Sequence, residues 1–125
     1  MKEAIKSKNA PAPIGPYSQA ILSDGTLYCS GQIALTADGK MRMDNIIEET
    51  QQVMMNIGEV LKAANMDYAD IIKTSIFLKD MGHFTQVNEV YGAFLKDPFP
   101  ARETVQVAKL PKDVNVEISV IAKRS

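Results

Sequence analysis

Residues 45–65 constrain the fold more than any other stretch. Ile46, Val53, Ile57, Val60, Leu61 and Ala64 recur there at helical spacing and form one apolar stripe. Asn45 followed by Glu48 suits a capping box at the start, and Asn65 suits a left-handed terminator at the end. A helix with such a stripe must bury it against another element. Segments of strand character lie on both sides in sequence, which makes a sheet the partner. Residues 17–22 and 26–29 flank Asp24-Gly25, a strong two-residue hairpin signal. Ser30-Gly31 stops the second of these strands, residues 32–35 continue the sheet after a bend, and Asp38-Gly39 marks a turn. Residues 71–78 are rich in β-branched side chains and read as a strand. A second helix is expected over residues 83–95, with Phe84, Val87, Tyr91 and Phe94 on its apolar side and Pro98 and Pro100 beyond its end. Two further strands follow, one opening at Arg102 and one centred on Glu117, joined by Leu110-Pro111-Lys112-Asp113 and expected to be neighbours. Residues 10–16 hold three prolines and are extended. The order β-β-β-α-β-α-β-β predicts an α/β (α+β) fold, a mixed sheet with two helices on one face. With 125 residues it is a single domain, 1–125.

Alternation in the last strand raises a question of burial. In residues 114–120 the even positions belong under the helices and the odd ones face away. Ile121 joins the outward set, as does either Val105 with Val107 or Thr104 with Ala108 from the strand before. A second face that is partly apolar is expected to be covered, and a partner subunit is the natural cover.

Composition narrows the chemistry. Net charge is −1 and the pI about 5.8, which argues against a nucleic-acid-binding module. There is one cysteine, so no intramolecular disulfide forms, and one histidine, His83. No HExxH, Cys/His cluster, phosphate loop or dinucleotide fingerprint is present. Chemistry here falls to arginine, carboxylates, hydroxyls and backbone groups, with no metal site expected. No signal peptide is recognisable at the start, and no apolar run nears the ~20 residues of a membrane span, so a cytoplasmic setting is expected.

The candidate residues are ordinary one by one. Arg102 suits two-pronged carboxylate binding, or a surface ion pair with Glu103. Glu117 could hold a water, or simply be a solvated outward residue. Gly31, beside Ser30, would let a ligand approach the backbone, or mark a bulge. Tyr17 could close a pocket or sit half in the core, and Asn88 stands mid-helix without a propensity advantage. Cys29 reads as a small buried strand residue, His83 as a helix-end surface residue, and Met41, Met43, Met54 and Met55 as gap-filling core.

Together these positions resemble a family. The segments 14–20 (IGPYSQA), 30–33 (SGQI), 73–81 (KTSIFLKDM), 87–91 (VNEVY), 100–102 (PAR), 110–113 (LPKD) and 116–118 (VEI) are similar, in order and spacing, to the RidA (YjgF-like) enamine/imine deaminases. The resemblance covers nearly the whole chain. It implies a chorismate-mutase-like fold assembled as a homotrimer around a central β-barrel, with sites between subunits. It implies hydrolysis of 2-aminoacrylate and related 2-imino acids to 2-keto acids and ammonia, with no cofactor. Carried over position by position, Arg102 would clamp the substrate carboxylate and Glu117 would position the attacking water. Tyr17, Ser30, Gly31 and Asn88 would line the pocket. Thr104 stands where the family often has cysteine. A non-catalytic 2-keto-acid-binding member of the same family is the alternative reading.

Overall fold

The computed structural model describes residues 1–124. Six strands form one mixed sheet: β1 (Glu3–Ile5), β2 (Ala20–Ser23), β3 (Thr26–Gln32), β4 (Ile71–Leu78), β5 (Ala101–Gln106) and β6 (Val116–Lys123). Their order across the sheet is β1-β2-β3-β6-β4-β5. Only β4 and β5 are parallel, and helix α2 (Phe84–Ala93) makes the crossover between them. Helix α1 (Ile46–Ala63) packs beside α2 and against β3 and β6. This is the expected mixed sheet with two helices on one face.

Local chemistry places each helix. Asn45 is extended and its side chain accepts the Glu48 N–H at 2.9 Å, as a helix cap should. The Glu48 carboxylate answers the Asn45 side-chain amide at 3.0 Å. Asn65 takes φ 59°, and Met66 N–H closes onto Leu61 O behind it. All six residues of the α1 stripe are buried. Asp24 and Gly25 both take positive φ, joining β2 to β3 in a two-residue turn that glycine makes inexpensive.

Several expectations are corrected. The strand expected over 17–22 begins only at Ala20. The Gln19 backbone O still accepts the Ser30 N–H of β3 at 2.9 Å, while its side chain accepts the Ser7 N–H at 2.6 Å and donates to Ser7 O and Pro11 O, tying down the proline-rich segment. Glu3–Ile5, which the sequence reading passed over, pairs with β2 as the edge strand. Ser30-Gly31 does not stop β3. It lies inside the strand, where the pairing with β6 shifts register between Cys29 and Gln32. Gln32 remains paired with β6, residues 33–35 leave the sheet, and Asn56 on α1 donates to Ile33 O and Leu35 O. Of the methionines read as core, only Met54 is buried, while Met41 and Met55 are exposed. Cys29 is buried as expected, and burial pushes its thiol up to about 12, which leaves it unreactive.

The last two strands are not neighbours. β4 lies between them, parallel to β5 and antiparallel to β6. Sequence adjacency suggested a pair, but the crossover through α2 delivers β5 to the far side of β4.

Glu49 is a residue whose role the sequence reading missed. It is fully buried, and its carboxylate accepts both the Asn115 backbone N–H and its side-chain amide, each at 2.8 Å. This ties α1 to the start of β6, two residues before Glu117. Removing it leaves Asn115 unsatisfied. Glu49→Ala is expected to cost about 2 kcal/mol, read as a lower denaturant midpoint at unchanged slope. No helix among the described residues is long and apolar enough to cross a membrane.

Candidate active site

The register decides where each candidate points. Arg102 lies opposite Thr74 on β4, and Glu117 lies opposite Phe77. Thr74 and Phe77 are an odd number of residues apart, so they face opposite sides of the sheet. Thr74 is fully buried and its side chain meets Tyr91 of α2, so Arg102 belongs to the helix-bearing face. Glu117 belongs to the other face. Two strand spacings, about 10 Å, also separate β5 from β6. One chain does not bring Arg102 and Glu117 to one ligand.

The candidates instead fall into two groups, one on each face of the sheet. On the outer face, Glu117 packs against Gly31. A Cβ built on Gly31 would lie 2.3 Å from Glu117 Oε2, so only glycine leaves the carboxylate its place. Gly31 and Tyr17 also line a small cleft of about 30 Å³ with Ile14 and Gln32. Tyr17 is half-exposed, and its hydroxyl accepts the Ile14 N–H at 3.3 Å. Ser30 secures this loop: its hydroxyl donates to Ser18 O at 2.6 Å and its N–H to Gln19 O at 2.9 Å. Glu117 is half-buried, and burial raises its carboxyl above the usual carboxylate range. Gly31→Ala is expected to push the flexible carboxylate aside without unfolding the chain. Turnover should fall about tenfold at a Tm near that of the parent.

The other group lies between α2 and the start of β5. Asn88, Tyr91, Gly92, Phe99, Pro100 and Arg102 line a groove of about 260 Å³. Asn88 Oδ1 accepts from Arg102 Nη1. No carboxylate among the described residues lies within ion-pair distance of Arg102. Glu103, its expected surface partner, is taken by Lys73 at 2.9 Å and by the Ser75 hydroxyl. Thr104 is on the same face two residues further on, and its hydroxyl oxygen is buried without a partner. Phe84 and Tyr91 lie on the apolar side of α2 as expected, Tyr91 buried in the core, and both rings also stand beside the Arg102 guanidinium. Their shared stripe with Asn88 on α2 was the available signal. Larger hollows of about 500 and 470 Å³ lie by Tyr68. They contain none of the candidate residues.

The sequence pattern of the family described as Endoribonuclease L-PSP, Ribonuc_L-PSP, matches residues 7–124. The chain belongs to this family, the RidA/YjgF proteins. A 2-iminobutanoate/2-iminopropanoate deaminase of Capra hircus is 45% identical over 98% of this chain and 90% of its own length. The Rid-family protein YyfA of Yersinia pestis is 46% identical, with a TM-score of 0.96 over 99% of this chain and 100% of that one. TdcF of E. coli, solved with bound serine, is 36% identical, with a TM-score of 0.93 over 98% and 99%. The RidA resemblance read from the sequence is thereby borne out, and so is the sheet-and-helix architecture it implied.

Proposed function

We propose that the protein is a cofactor-independent deaminase that hydrolyses 2-imino acids, 2-iminopropanoate (the tautomer of 2-aminoacrylate) and 2-iminobutanoate, to 2-keto acids and ammonia. The observation that carries this reading is an arginine with no carboxylate partner, set in a groove, together with a half-buried carboxylate elsewhere on the same small domain. Relatives at 43–45% identity carry the same activity in their names. Serine, the ligand in TdcF, has a carboxylate beside a nitrogen-bearing carbon, the same arrangement as the imino acids.

The opposite faces of Arg102 and Glu117 favour a site built by two copies. One chain would present Tyr17, Ser30, Gly31 and Glu117, and its neighbour Asn88, Arg102 and Thr104. A homotrimer meets this need with three equivalent clefts. It would also cover the outer sheet face, where Tyr28 and Val105 are exposed. Of the two outward sets considered for β5, Val105 is on that face and Thr104 is not. A cytoplasmic setting and the absence of a nucleic-acid partner complete the proposal. The net charge and an arginine-carboxylate site without histidine support the latter over RNA cleavage.

In the reaction the Arg102 guanidinium binds the substrate carboxylate with paired N–H donors and so orients C2. Glu117 accepts a proton from a water as its oxygen attacks C2 of the iminium form of the substrate, and the C=N electron pair moves to nitrogen. The resulting carbinolamine regains a proton on nitrogen, expels ammonia, and loses the hydroxyl proton as C=O forms. The test is 2-keto acid release from 2-aminoacrylate made in situ by a serine dehydratase, with semicarbazide trapping the remaining imine. Acceleration is expected. If folded protein binds a 2-keto acid but gives no acceleration, the non-catalytic alternative replaces the enzyme.

A further inference from the structure

Arg102 is held in an unusual way. Phe84, Asn88 and Tyr91 stand at i, i+4 and i+7 on α2 and make one stripe. The guanidinium carbon lies 5.7 Å from the centre of the Phe84 ring and 5.5 Å from that of Tyr91. Both distances are within cation–π range. Tyr91 is buried, and its hydroxyl donates to Thr74 Oγ1 at 2.9 Å. Thr74 is itself fully buried and sits opposite Arg102 in the β4–β5 register. The ring is therefore fixed at its far end to the strand beside the arginine it touches.

A carboxylate would hold an arginine as firmly, but it would neutralise the charge and occupy the donors an anionic ligand needs. Ring faces attract the cation and leave its edge free. Of the five guanidinium N–H groups, one is taken by Asn88. From this geometry we propose that Tyr91, seconded by Phe84, is a positioning residue that fixes the Arg102 guanidinium while leaving its charge and edge donors for the substrate carboxylate. The inference rests on the reading of Arg102 as the carboxylate clamp. Burial raises the Tyr91 phenol above its ordinary range, which keeps the ring neutral and its hydroxyl a donor to Thr74.

The test compares 2-ketobutanoate affinity by calorimetry, steady-state turnover of 2-iminobutanoate, and Tm for the parent, Tyr91→Leu, Tyr91→Phe, Phe84→Leu and Arg102→Ala. Tyr91→Leu is expected to raise Kd and KM about tenfold with kcat within about twofold. Tyr91→Phe keeps the ring and loses the Thr74 bond. It should restore Kd to within about threefold of the parent although its Tm stays low. A purely structural role predicts that Kd follows Tm through both variants, and that pattern overturns the proposal. Phe84 is more exposed, so Phe84→Leu tests the same idea without risk to the fold: Kd should rise about threefold at constant Tm. Should Tyr91→Leu not fold, an unchanged Kd in Phe84→Leu overturns it. If Arg102→Ala binds 2-ketobutanoate as the parent does, the clamp reading itself fails. If Arg102→Ala loses binding while the ring variants keep it, only the positioning role is lost.

Discussion

Arg102→Ala is expected to lower kcat/KM for 2-iminobutanoate by about two orders of magnitude, with most of the loss in KM. The groove around Arg102 offers no second cation: its other lining residues are Asn88, Tyr91, Gly92, Phe99 and Pro100. A paired, charge-assisted contact to a carboxylate is worth roughly 3 kcal/mol, and each 1.4 kcal/mol is tenfold. Arg102→Lys should recover only part of this, because an ammonium keeps the charge but not the planar fork. Initial rates across substrate concentration check both variants, and a KM within twofold of the parent for Arg102→Ala would remove the clamp from the mechanism.

Glu117→Gln should behave differently. Turnover is expected to fall by about 10² to 10³, the usual contribution of a positioned proton acceptor, while 2-ketobutanoate still binds within about twofold of the parent. The same carboxylate sets the acid limb of the rate profile. Its pKa is raised by burial, and only the ionised form accepts a proton. Parent kcat should therefore fall with decreasing pH through a value above the ordinary 4.5, and the residual rate of the glutamine variant should lack that limb. Stability runs the opposite way. The stability associated with the neutral form is fully present below 4.5 and is lost as pH rises through the raised value. At neutral pH the glutamine variant is expected to melt no lower than the parent. A normal turnover number in that variant would take Glu117 out of the chemistry.

Much of the fold was legible because local signals agreed with one another. Asn45, Glu48 and Asn65 bracket α1 where the periodic stripe begins and ends, and Asp24-Gly25 has one comfortable conformation between two strands. What the sequence hid was non-local. Nothing in the residues after Pro100 tells β5 to pair with β4 instead of β6, since that choice follows from how α2 packs. Gln19 gave no sign of its role either, because its side-chain bonds are to a segment about ten residues away. Glu49 offered a faint clue, a carboxylate between Ile46 and Val53 on an otherwise apolar stripe. For the site, alternation placed Glu117 on the outer face, but only the register shows that Arg102 faces the other way.

That opposition has a consequence for mixed populations of chains. If each cleft takes its arginine from one protomer and its carboxylate from the next, two impaired variants can repair one another. Arg102→Ala and Glu117→Gln chains, unfolded together and allowed to reassemble at equal amounts, should form about a quarter of their clefts from two intact contributions. A chain carrying both substitutions repairs nothing, and inside a trimer it spoils two clefts, its own carboxylate side and its own arginine side. In a cell expressing intact and doubly altered copies together, the loss of activity would therefore exceed the share of altered chains.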